Sequence, residues 1–219
     1  YFFLRFVDDV PVLSMGSDWL DRVAESSMFD QTVFHVSLGI SNVNEEVSSG
    51  VFDDAIRQLG DKISSYQRPV FLRIGYEFDN SGHGNSDPAL FQASWRRIVD
   101  VLRQEGVDNF ATVFSSIFLL ESLPLLTNCN PDDPLDCYPH EAYYPGDDYV
   151  DWMGSSFWFG PVSILPDRCI DMLAFARQKG KPVMLAETAP LLSDLKLEGL
   201  QGIFLTRFRL AFEFMEKNR

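Results

Sequence analysis

The stretch RPVFLRIGYEFD spans Arg68–Asp79 and combines an apolar run with a glutamate directly after it. Its first part, Pro69–Tyr76, is a short and mostly apolar run, which predicts a strand buried in a parallel sheet. Glu77 follows directly after that strand. Burying a charged group without a partner is costly, so a glutamate here indicates either a salt bridge or a functional carboxylate at the carboxyl end of the strand.

Five runs of this kind recur along the chain and alternate with stretches that have helical spacing, a pattern typical of repeated βα units. The runs predict strands at Thr32–Ile40, Pro69–Tyr76, Phe110–Ile117, Val150–Phe157 and Pro182–Ala186. Two more strands are expected near the start, at Tyr1–Val7 and Val10–Met15. The fold class is therefore α/β, and the parallel strands favour a barrel or an open sheet.

The helices between these strands have recognisable ends. Asp87 is the predicted N-cap of a helix whose first position is Pro88 and which Gly106 terminates. Other helices are predicted at 17–28, 52–63, 167–179 and 197–217. No linker or low-complexity tract interrupts the alternation, so the chain is interpreted as a single domain, with a long loop over Glu121–Asp148 at its functional rim.

Charge and hydropathy exclude several classes of partner. The 219 residues include 32 acidic and 18 basic side chains, a formal net charge of −14, so DNA, RNA and anionic membranes would be repelled. Apolar runs are far shorter than the roughly 20 residues of a membrane-spanning helix. The sequence begins with Tyr1 and has no recognisable signal segment, so the cell compartment stays open at this point.

The three cysteines are too few and too far apart for a disulfide scaffold or a zinc site. Cys129 and Cys137 flank a loop rich in Pro, Asp and Asn, and a disulfide between them is left open. Cys169 is predicted to be a buried apolar residue of a helix.

Other cofactor signals are missing from the sequence. The three histidines do not have the spacing of metal ligands, so a catalytic metal centre is not supported. The sequence contains neither the GxSxG motif of serine hydrolases nor the GxxxxGK[ST] motif of nucleotide-binding proteins, so these two functions are not supported either. Several aspartates between Asp132 and Asp148 leave two alternatives, a calcium site or a solvated acidic rim. We predict no cofactor and no catalytic metal.

Two predicted strands end in a carboxylate. Glu77 follows Pro69–Tyr76, and Glu187 follows Pro182–Ala186. The carboxyl ends of parallel strands meet at one face of a barrel, so the two side chains are expected to converge. Glycoside hydrolysis uses such a pair, one protonated and one ionised. The alternative is that each glutamate forms a salt bridge or caps a loop.

Three segments around this pair favour the catalytic interpretation. RPVFLRIGYEFD (Arg68–Asp79), YYPGDDYVDWMG (Tyr143–Gly154) and GKPVMLAETAP (Gly180–Pro190) together resemble glycoside hydrolase family 26, a group of retaining (β/α)8 glycosidases whose best-known members are endo-β-mannanases. The resemblance extends over Phe52–Lys217. It implies a TIM-type (β/α)8 barrel and a glycosidase of the endo-β-glycanase type.

The resemblance also implies roles for individual residues. Glu77 matches the acid/base at the end of the fourth barrel strand, and Glu187 matches the nucleophile at the end of the seventh. Arg73 matches an arginine that keeps the nucleophile ionised, since a nearby positive charge lowers the pKa of a carboxylate. Glu77 must instead stay protonated, and the flanking Tyr76 and Phe78 are consistent with a drier pocket.

The sequence departs from the family at several positions. Tyr76 replaces a histidine, Ile74 replaces a proline, and Trp158 or a neighbouring phenylalanine stands where a tyrosine steadies the nucleophile. These changes alter the sugar-contacting residues, so the glycan is left open among mannan, glucan and xylan types.

Further substrate-binding candidates surround the pair. Trp158 is the preferred stacking platform for a sugar ring. Asp79 either bonds a sugar hydroxyl or starts a turn, and His83 either lines the mouth of the site or belongs to an exposed loop.

The sequence therefore predicts a retaining hydrolase of a β-linked polysaccharide, with Glu77 and Glu187 as its two catalytic carboxylates. A non-catalytic carbohydrate-binding or structural domain derived from such an enzyme is the alternative. A monomer acting outside the cell is expected by resemblance.

Length gives one more expectation. About 76 residues precede Glu77 and about 32 follow Glu187, which is too short for a complete eightfold barrel. Residues 1–219 are expected to form one barrel domain that lacks its first or last strand, as an excerpt of a longer chain or a pared-down barrel.

Overall fold

A seven-stranded, mostly parallel sheet forms the centre of the molecule. The structure is a computed structural model that describes residues 1–16, 19–80, 83–118, 129–130, 133–137, 140–159 and 167–190, together with Arg209, Glu213 and Glu216. Its strands in chain order are β1 (Phe2–Val7), β2 (Val10–Met15), β3 (Phe34–Gly39), β4 (Val70–Ile74), β5 (Phe110–Phe118), β6 (Cys129–Asn130), β7 (Asp133–Cys137), β8 (Trp152–Phe159) and β9 (Val183–Pro190). The sheet has the spatial order β2-β1-β3-β4-β5-β8-β9, and β6 and β7 form a separate antiparallel pair.

The helices lie between the strands, as the alternation predicts. They are α1 (Trp19–Glu25), α2 (Asn44–Ser48), α3 (Asp53–Ser65), α4 (Pro88–Gln104), α5 (His140–Tyr143) and α6 (Asp167–Lys179). The predicted cap of α4 is confirmed, because the Asp87 carboxylate accepts the backbone N–H groups of Ala89 and Leu90 at 2.8 and 3.1 Å. Within the part of the chain that the structure describes, no helix has the length and apolar character needed to cross a membrane.

Differences from the predicted elements are local. The helix expected over 17–28 ends at Glu25 and is followed by a 3-10 turn at Ser27–Phe29. The long loop expected over Glu121–Asp148 contains β6, β7 and α5 among its described residues. The terminal helix expected at 197–217 lies outside the described residues, except for Arg209, Glu213 and Glu216, which are helical.

The first hairpin is the main departure from a parallel sheet. β2 pairs with β1 in antiparallel register, from Phe2 opposite Met15 to Val7 opposite Val10. The connecting Asp8 and Asp9 both have positive φ, 49° and 59°, as a two-residue type I′ turn requires. Asp-Asp is an uncommon sequence for that turn, so the sequence predicted two strands without their orientation.

The barrel prediction is confirmed in part. Six strands run parallel in the order β1, β3, β4, β5, β8 and β9, as in a (β/α)8 barrel. In the described ranges the sheet is not closed, with β2 at one edge and β9 at the other. That residues 1–219 form one domain without its first or last barrel strand stays a prediction.

The two faces of the sheet carry different side chains. Successive strand residues point to opposite faces, so Val70, Leu72 and Ile74 of β4 face the helices and are buried there. Phe71 and Arg73 point to the inner face of the curved sheet, where Arg73 contacts serines of β3, β5 and β8. The inner face is therefore where polar chemistry is positioned.

Candidate active site

Arg73 is the centre of the inner face. Its side chain is only 2% exposed, and its guanidinium reaches residues of four other strands. Nη2 donates to the hydroxyls of Ser156 at 2.9 Å and Ser115 at 3.2 Å, and Nη1 lies 3.5 Å from the Ser37 hydroxyl and the Ala186 carbonyl. A cation can occupy this buried position because oxygen acceptors surround it.

Glu187 is the negative partner of Arg73. Nη1 of Arg73 donates to Oε2 of Glu187 at 3.0 Å, and the carboxylate side chain remains 25% exposed. The Tyr1 hydroxyl donates to Oε1 at 2.8 Å. Burial raises the pKa of the Tyr1 phenol and the Glu187 carboxylate raises it further, so Tyr1 stays a hydrogen-bond donor at neutral pH. Both oxygens of Glu187 are thus held while the side chain still reaches solvent.

A β-bulge aims Glu187 at Arg73. The register between β8 and β9 shifts between Ser155 and Ser156, which pair with Leu185 and Glu187, so Ala186 is the extra residue. The sequence predicted that the strand ends at Ala186; instead β9 continues to Pro190 and Glu187 lies within it. Bulges redirect side chains next to functional sites, and here the bulge brings Glu187 opposite Ser156.

Tyr76 packs beside Arg73 and Tyr1. Its ring is 5.4 Å from the Arg73 guanidinium and 5.4 Å from the Tyr1 ring, measured to ring centroids. Burial raises the pKa of the Tyr76 phenol, and the negative charges of Glu77 and Glu187 raise it further. Both carboxylates therefore act electrostatically on the same aromatic side chain.

Glu77 sits in a turn rather than at the end of a straight strand. It is 5% exposed and has a φ of +53°, a conformation uncommon for residues other than glycine and often found at functional sites. Gly75, two residues earlier, has a φ of +51°, and a Cβ atom there would lie 2.5 Å from the Phe91 ring. The chain thus turns sharply after β4 to present Glu77.

The residues around Glu77 fix its carboxylate. Asn80 donates from Nδ2 to Oε2 of Glu77 at 3.2 Å, and the His83 Nε2 lies 3.8 Å from the same oxygen. Phe78 is fully buried and stacks on Phe114 with ring centroids 4.3 Å apart. The expectation of a drier pocket around Glu77 agrees with this burial.

Asp79 fills a structural position. It is 3% exposed, and its Oδ1 accepts the backbone N–H of Ile117 at 2.7 Å. Its other carboxylate oxygen lies 4.0 Å from the His140 Nε2. The bond to Ile117 ties the turn after β4 to β5, and a bond from Asp79 to a sugar hydroxyl stays a prediction.

Two aromatic residues, Trp158 and Tyr1, bear on the surroundings of the predicted nucleophile. Trp158 lies in β8 opposite Ala189, but its side chain lies outside the described residues, so stacking on a sugar stays a prediction. The family tyrosine that steadies the nucleophile, whose place is taken here by Trp158 or a neighbouring phenylalanine, has a counterpart in Tyr1, which directly precedes β1 and bonds Glu187. Tyr1 precedes the segments that carry the resemblance, and no local motif marks it.

Other aromatic residues near the loop belong to the core. Tyr143 is fully buried, and its hydroxyl donates to the Asn85 carbonyl at 2.8 Å. Trp95 of α4 is also fully buried. Among the described side chains, no group of three or more His, Cys, Asp or Glu residues is arranged to hold a metal ion. Most of the Asp132–Asp148 cluster proposed for calcium lies outside them.

Known proteins resemble the chain over most of its length. No family model matches it. A β-1,3-xylanase, TXYA, from Vibrio sp. is 26% identical over 166 residues, which are 75% of this chain and 33% of that protein. A β-1,3-xylanase from Alcaligenes sp. is 25% identical over an alignment of 210 positions that covers 89% of this chain and 42% of that protein. The chain thus spans between a third and a half of the length of these relatives.

Solved structures of similar fold come from glycoside hydrolase family 26. The β-mannanase BoMan26A of Bacteroides ovatus superposes with a TM-score of 0.57 at 18% identity, over 78% of this chain and 55% of that one. The catalytic domain of an endo-β-1,4-mannanase from Bacillus sp. JAMB-750 gives a TM-score of 0.55 at 18% identity, over 79% and 52%. The predicted resemblance is confirmed: the chain is similar to family 26 β-mannanases in fold and to β-1,3-xylanases in sequence.

Proposed function

We propose that the chain is the catalytic part of a retaining glycosidase that cleaves a β-linked polysaccharide. The observation that carries the proposal is the difference between the surroundings of the Glu77 and Glu187 carboxylates. Glu187 is paired with Arg73 and exposed enough to reach a substrate, whereas Glu77 is 5% exposed and held by Asn80. Two carboxylates in such different surroundings suit the two different roles of a retaining mechanism.

In the proposed first step Glu187 attacks the anomeric carbon as the glycosidic C–O bond breaks, and the Glu77 proton passes to the departing oxygen. The product is a covalent glycosyl-enzyme. In the second step Glu77 takes a proton from water, and the resulting hydroxide displaces Glu187 from the sugar. Arg73 and Tyr1, which donate to the two Glu187 oxygens, stabilise the carboxylate whenever it leaves.

Xylan with β-1,3 linkages is the first substrate to test, because both curated relatives are named β-1,3-xylanases. Mannan and glucan remain in the panel, since the solved neighbours are β-mannanases and the chain carries Tyr76 where a histidine is usual in the family. Endo cleavage, a monomeric state and an extracellular location belong to the same proposal and come from resemblance.

The test compares Glu77→Gln and Glu187→Gln with the exposed Glu45→Gln on β-1,3-xylan, β-1,4-mannan and mixed-linkage β-glucan. Hydrolysis of one glycan by wild type and by Glu45→Gln, with a loss of at least about 1,000-fold in both site variants, is expected. Proton NMR of the first product tests for retention of the anomeric configuration. Wild-type rates in Glu187→Gln would overturn the assignment, and glycan binding without cleavage by the wild type would favour the alternative of a non-catalytic binding domain.

A further inference from the structure

The hairpin formed by β1 and β2 extends beyond the carboxyl end of the parallel sheet. Only the first two residues of β1 pair with β3, and the second of them, Phe3, lies opposite Gly39, the last residue of β3. Because β1 runs parallel to β3, the chain from Leu4 to the turn continues past the end of β3. Active sites of (β/α)8 barrels lie at this end of the sheet, and Glu77 follows β4 there. The hairpin therefore stands beside the face that carries the candidate site.

The two faces of the hairpin have different surroundings. Side chains alternate along β1, and Phe2 and Leu4, which are 3% and 2% exposed, pack into the core. Phe6 belongs to the same face and packs edge-on against Phe52 at the start of α3, with ring centroids 5.1 Å apart. The opposite face carries Tyr1, Phe3 and Arg5.

Tyr1 joins this opposite face to the candidate site. Its hydroxyl donates to Glu187 at 2.8 Å, although the residue is 55% exposed. Its ring packs edge-on against the Tyr76 ring at 5.4 Å and lies nearly parallel to the Phe3 ring, at an angle of 16° with centroids 6.4 Å apart. A row of three rings thus leads from the candidate nucleophile onto the hairpin.

Gly39 makes room for the ring of Phe3. A Cβ atom at residue 39 would lie 2.5 and 3.0 Å from two carbon atoms of that ring. The ring therefore leans over the backbone of β3, where a larger residue would displace it. Phe3 is only half-buried, so part of its ring surface still faces solvent. The position of the ring is fixed and its surface is accessible, as a binding platform requires.

We propose that the face of the hairpin that carries Tyr1, Phe3 and Arg5 binds the β-linked glycan next to the cleavage position, with the Phe3 ring stacking on a neighbouring sugar unit. The inference rests on the proposed function, in which Glu187 attacks the first unit. The apolar C–H face of a sugar ring packs well on an aromatic ring, and side chains on one face of a strand repeat about every 6.6 Å, a distance comparable to the length of a sugar unit.

Arg5 continues the same face one step beyond Phe3. It is exposed, and no acidic side chain among the described residues pairs with it. Its guanidinium N–H groups can therefore donate to the hydroxyl groups of a sugar that extends past Phe3. The platform and the donor together predict that binding improves with the length of the glycan.

Matched variants separate this role from a contribution to folding. Phe3→Ala removes the platform, and Phe3→Tyr keeps a ring in its place. Phe6→Ala is the control, because it removes the same side chain from the same strand on the opposite face. Arg5→Met removes the donors at an exposed position where folding does not depend on them, and Arg57→Met is its control. Urea midpoints establish which variants are folded.

The kinetic readout uses oligosaccharides, from disaccharide to hexasaccharide, of the glycan that the wild type cleaves. Phe3→Ala should lower kcat/KM about 10-fold on the hexasaccharide and less than about 2-fold on the disaccharide, and Arg5→Met about 3-fold on the hexasaccharide alone. Phe3→Tyr, Phe6→Ala and Arg57→Met should retain the wild-type dependence on length. Equal losses at both lengths, or no loss in Phe3→Ala, would overturn the proposal. If Phe3→Ala does not fold, Arg5→Met decides by the same criterion.

Titration calorimetry tests the surface without catalysis. In a Glu77→Gln background, adding Phe3→Ala should weaken binding of the hexasaccharide about 10-fold, whereas adding Phe6→Ala should not change it. If the wild type cleaves no β-glycan, the proposed function fails, and β-1,3-xylohexaose then serves as the probe of the wild-type background. A loss of affinity in Phe3→Ala alone would still support the hairpin surface. Equal affinity in the two variants, or no binding to any of these proteins, would overturn it.

Discussion

Replacing Arg73 with methionine removes the buried cation that joins β4 to β3, β5, β8 and β9. Arg73 is 2% exposed and Glu187 retains 25% side-chain exposure. Removing one partner of a buried ion pair costs about 3–5 kcal/mol, and hydrogen bonds to charged groups contribute about 1.5–3 kcal/mol each. Because water still reaches Glu187 and the serine hydroxyls can bond one another, we expect Arg73→Met to lose about 3 kcal/mol of unfolding free energy.

A substitution of the partner residue Glu187 is expected to lower the free energy of unfolding by less. Glu187→Gln keeps one oxygen that can accept from Arg73 and places an NH2 group beside the Tyr1 hydroxyl, which can rotate to accept from it. The negative charge is lost, so we expect a loss of about 1–2 kcal/mol. The two residues are in direct contact, so the double variant should lose less than the sum of the single losses. A coupling free energy of about 1–2 kcal/mol is expected.

Urea denaturation followed by tryptophan fluorescence measures these changes. With a denaturant slope of about 2–3 kcal/mol per molar, Arg73→Met should lower the midpoint by about 1 M. Arg57→Met is the matched control, because Arg57 lies on the surface with Asp54 and Glu105, and its midpoint should stay unchanged. An unchanged midpoint in Arg73→Met, or additive losses in the double variant, would show that the Arg73–Glu187 pair does not stabilise the fold as proposed.

Three further predictions concern individual positions elsewhere in the fold. Gly84→Ala should destabilise the protein by about 2–3 kcal/mol in the same assay, against about 1 kcal/mol for Gly106→Ala, because both have positive φ but only Gly84 has a close neighbour. Cys129 and Cys137 are register partners in the antiparallel pair β6–β7, and the Cα atoms of such partners are close enough for a disulfide. Thiol titration of the unfolded, unreduced protein should therefore find one free thiol. Three free thiols would disprove the bond. Burial raises the pKa of the Tyr66 phenol above 10, with a further contribution from the Asp21 carboxylate, so the unfolded state ionises first and wild-type stability should fall as pH rises above 10. Tyr66→Phe should show a smaller fall, and equal slopes would contradict this assignment.

Strand and helix positions were the most predictable part of the fold. Helix α6 has the predicted bounds, and Asp87 caps α4 as expected, because caps and apolar periodicity are local properties of the sequence. The antiparallel β2 was not predicted as such. Its direction depends on positive φ at Asp8 and Asp9, which the hairpin contacts impose on residues that have no strong preference for it.

The candidate site was predictable as a set of residue types and less so as a geometry. Glu77, Glu187, Arg73, Tyr76 and His83 were identified, and the structure places Arg73 against Glu187 and His83 near Glu77. The bulge at Ala186 was not foreseen, because it arises from pairing between β8 and β9. Nor was Tyr1, which lies 186 positions from its partner Glu187.

Order and spacing along the chain were enough to show that Glu77 and Glu187 directly follow two apolar runs, that an arginine precedes Glu77 by four residues, and that this pattern resembles family 26 glycosidases. These are properties of order and spacing along the chain. Which groups lie together followed only from the folded structure: Arg73 and Tyr1 both bond Glu187, and His83 bonds the Tyr76 carbonyl and lies near Glu77. The physical reason is that burial, charge pairing and hydrogen-bond direction depend on distances between strands and turns, which no local pattern specifies.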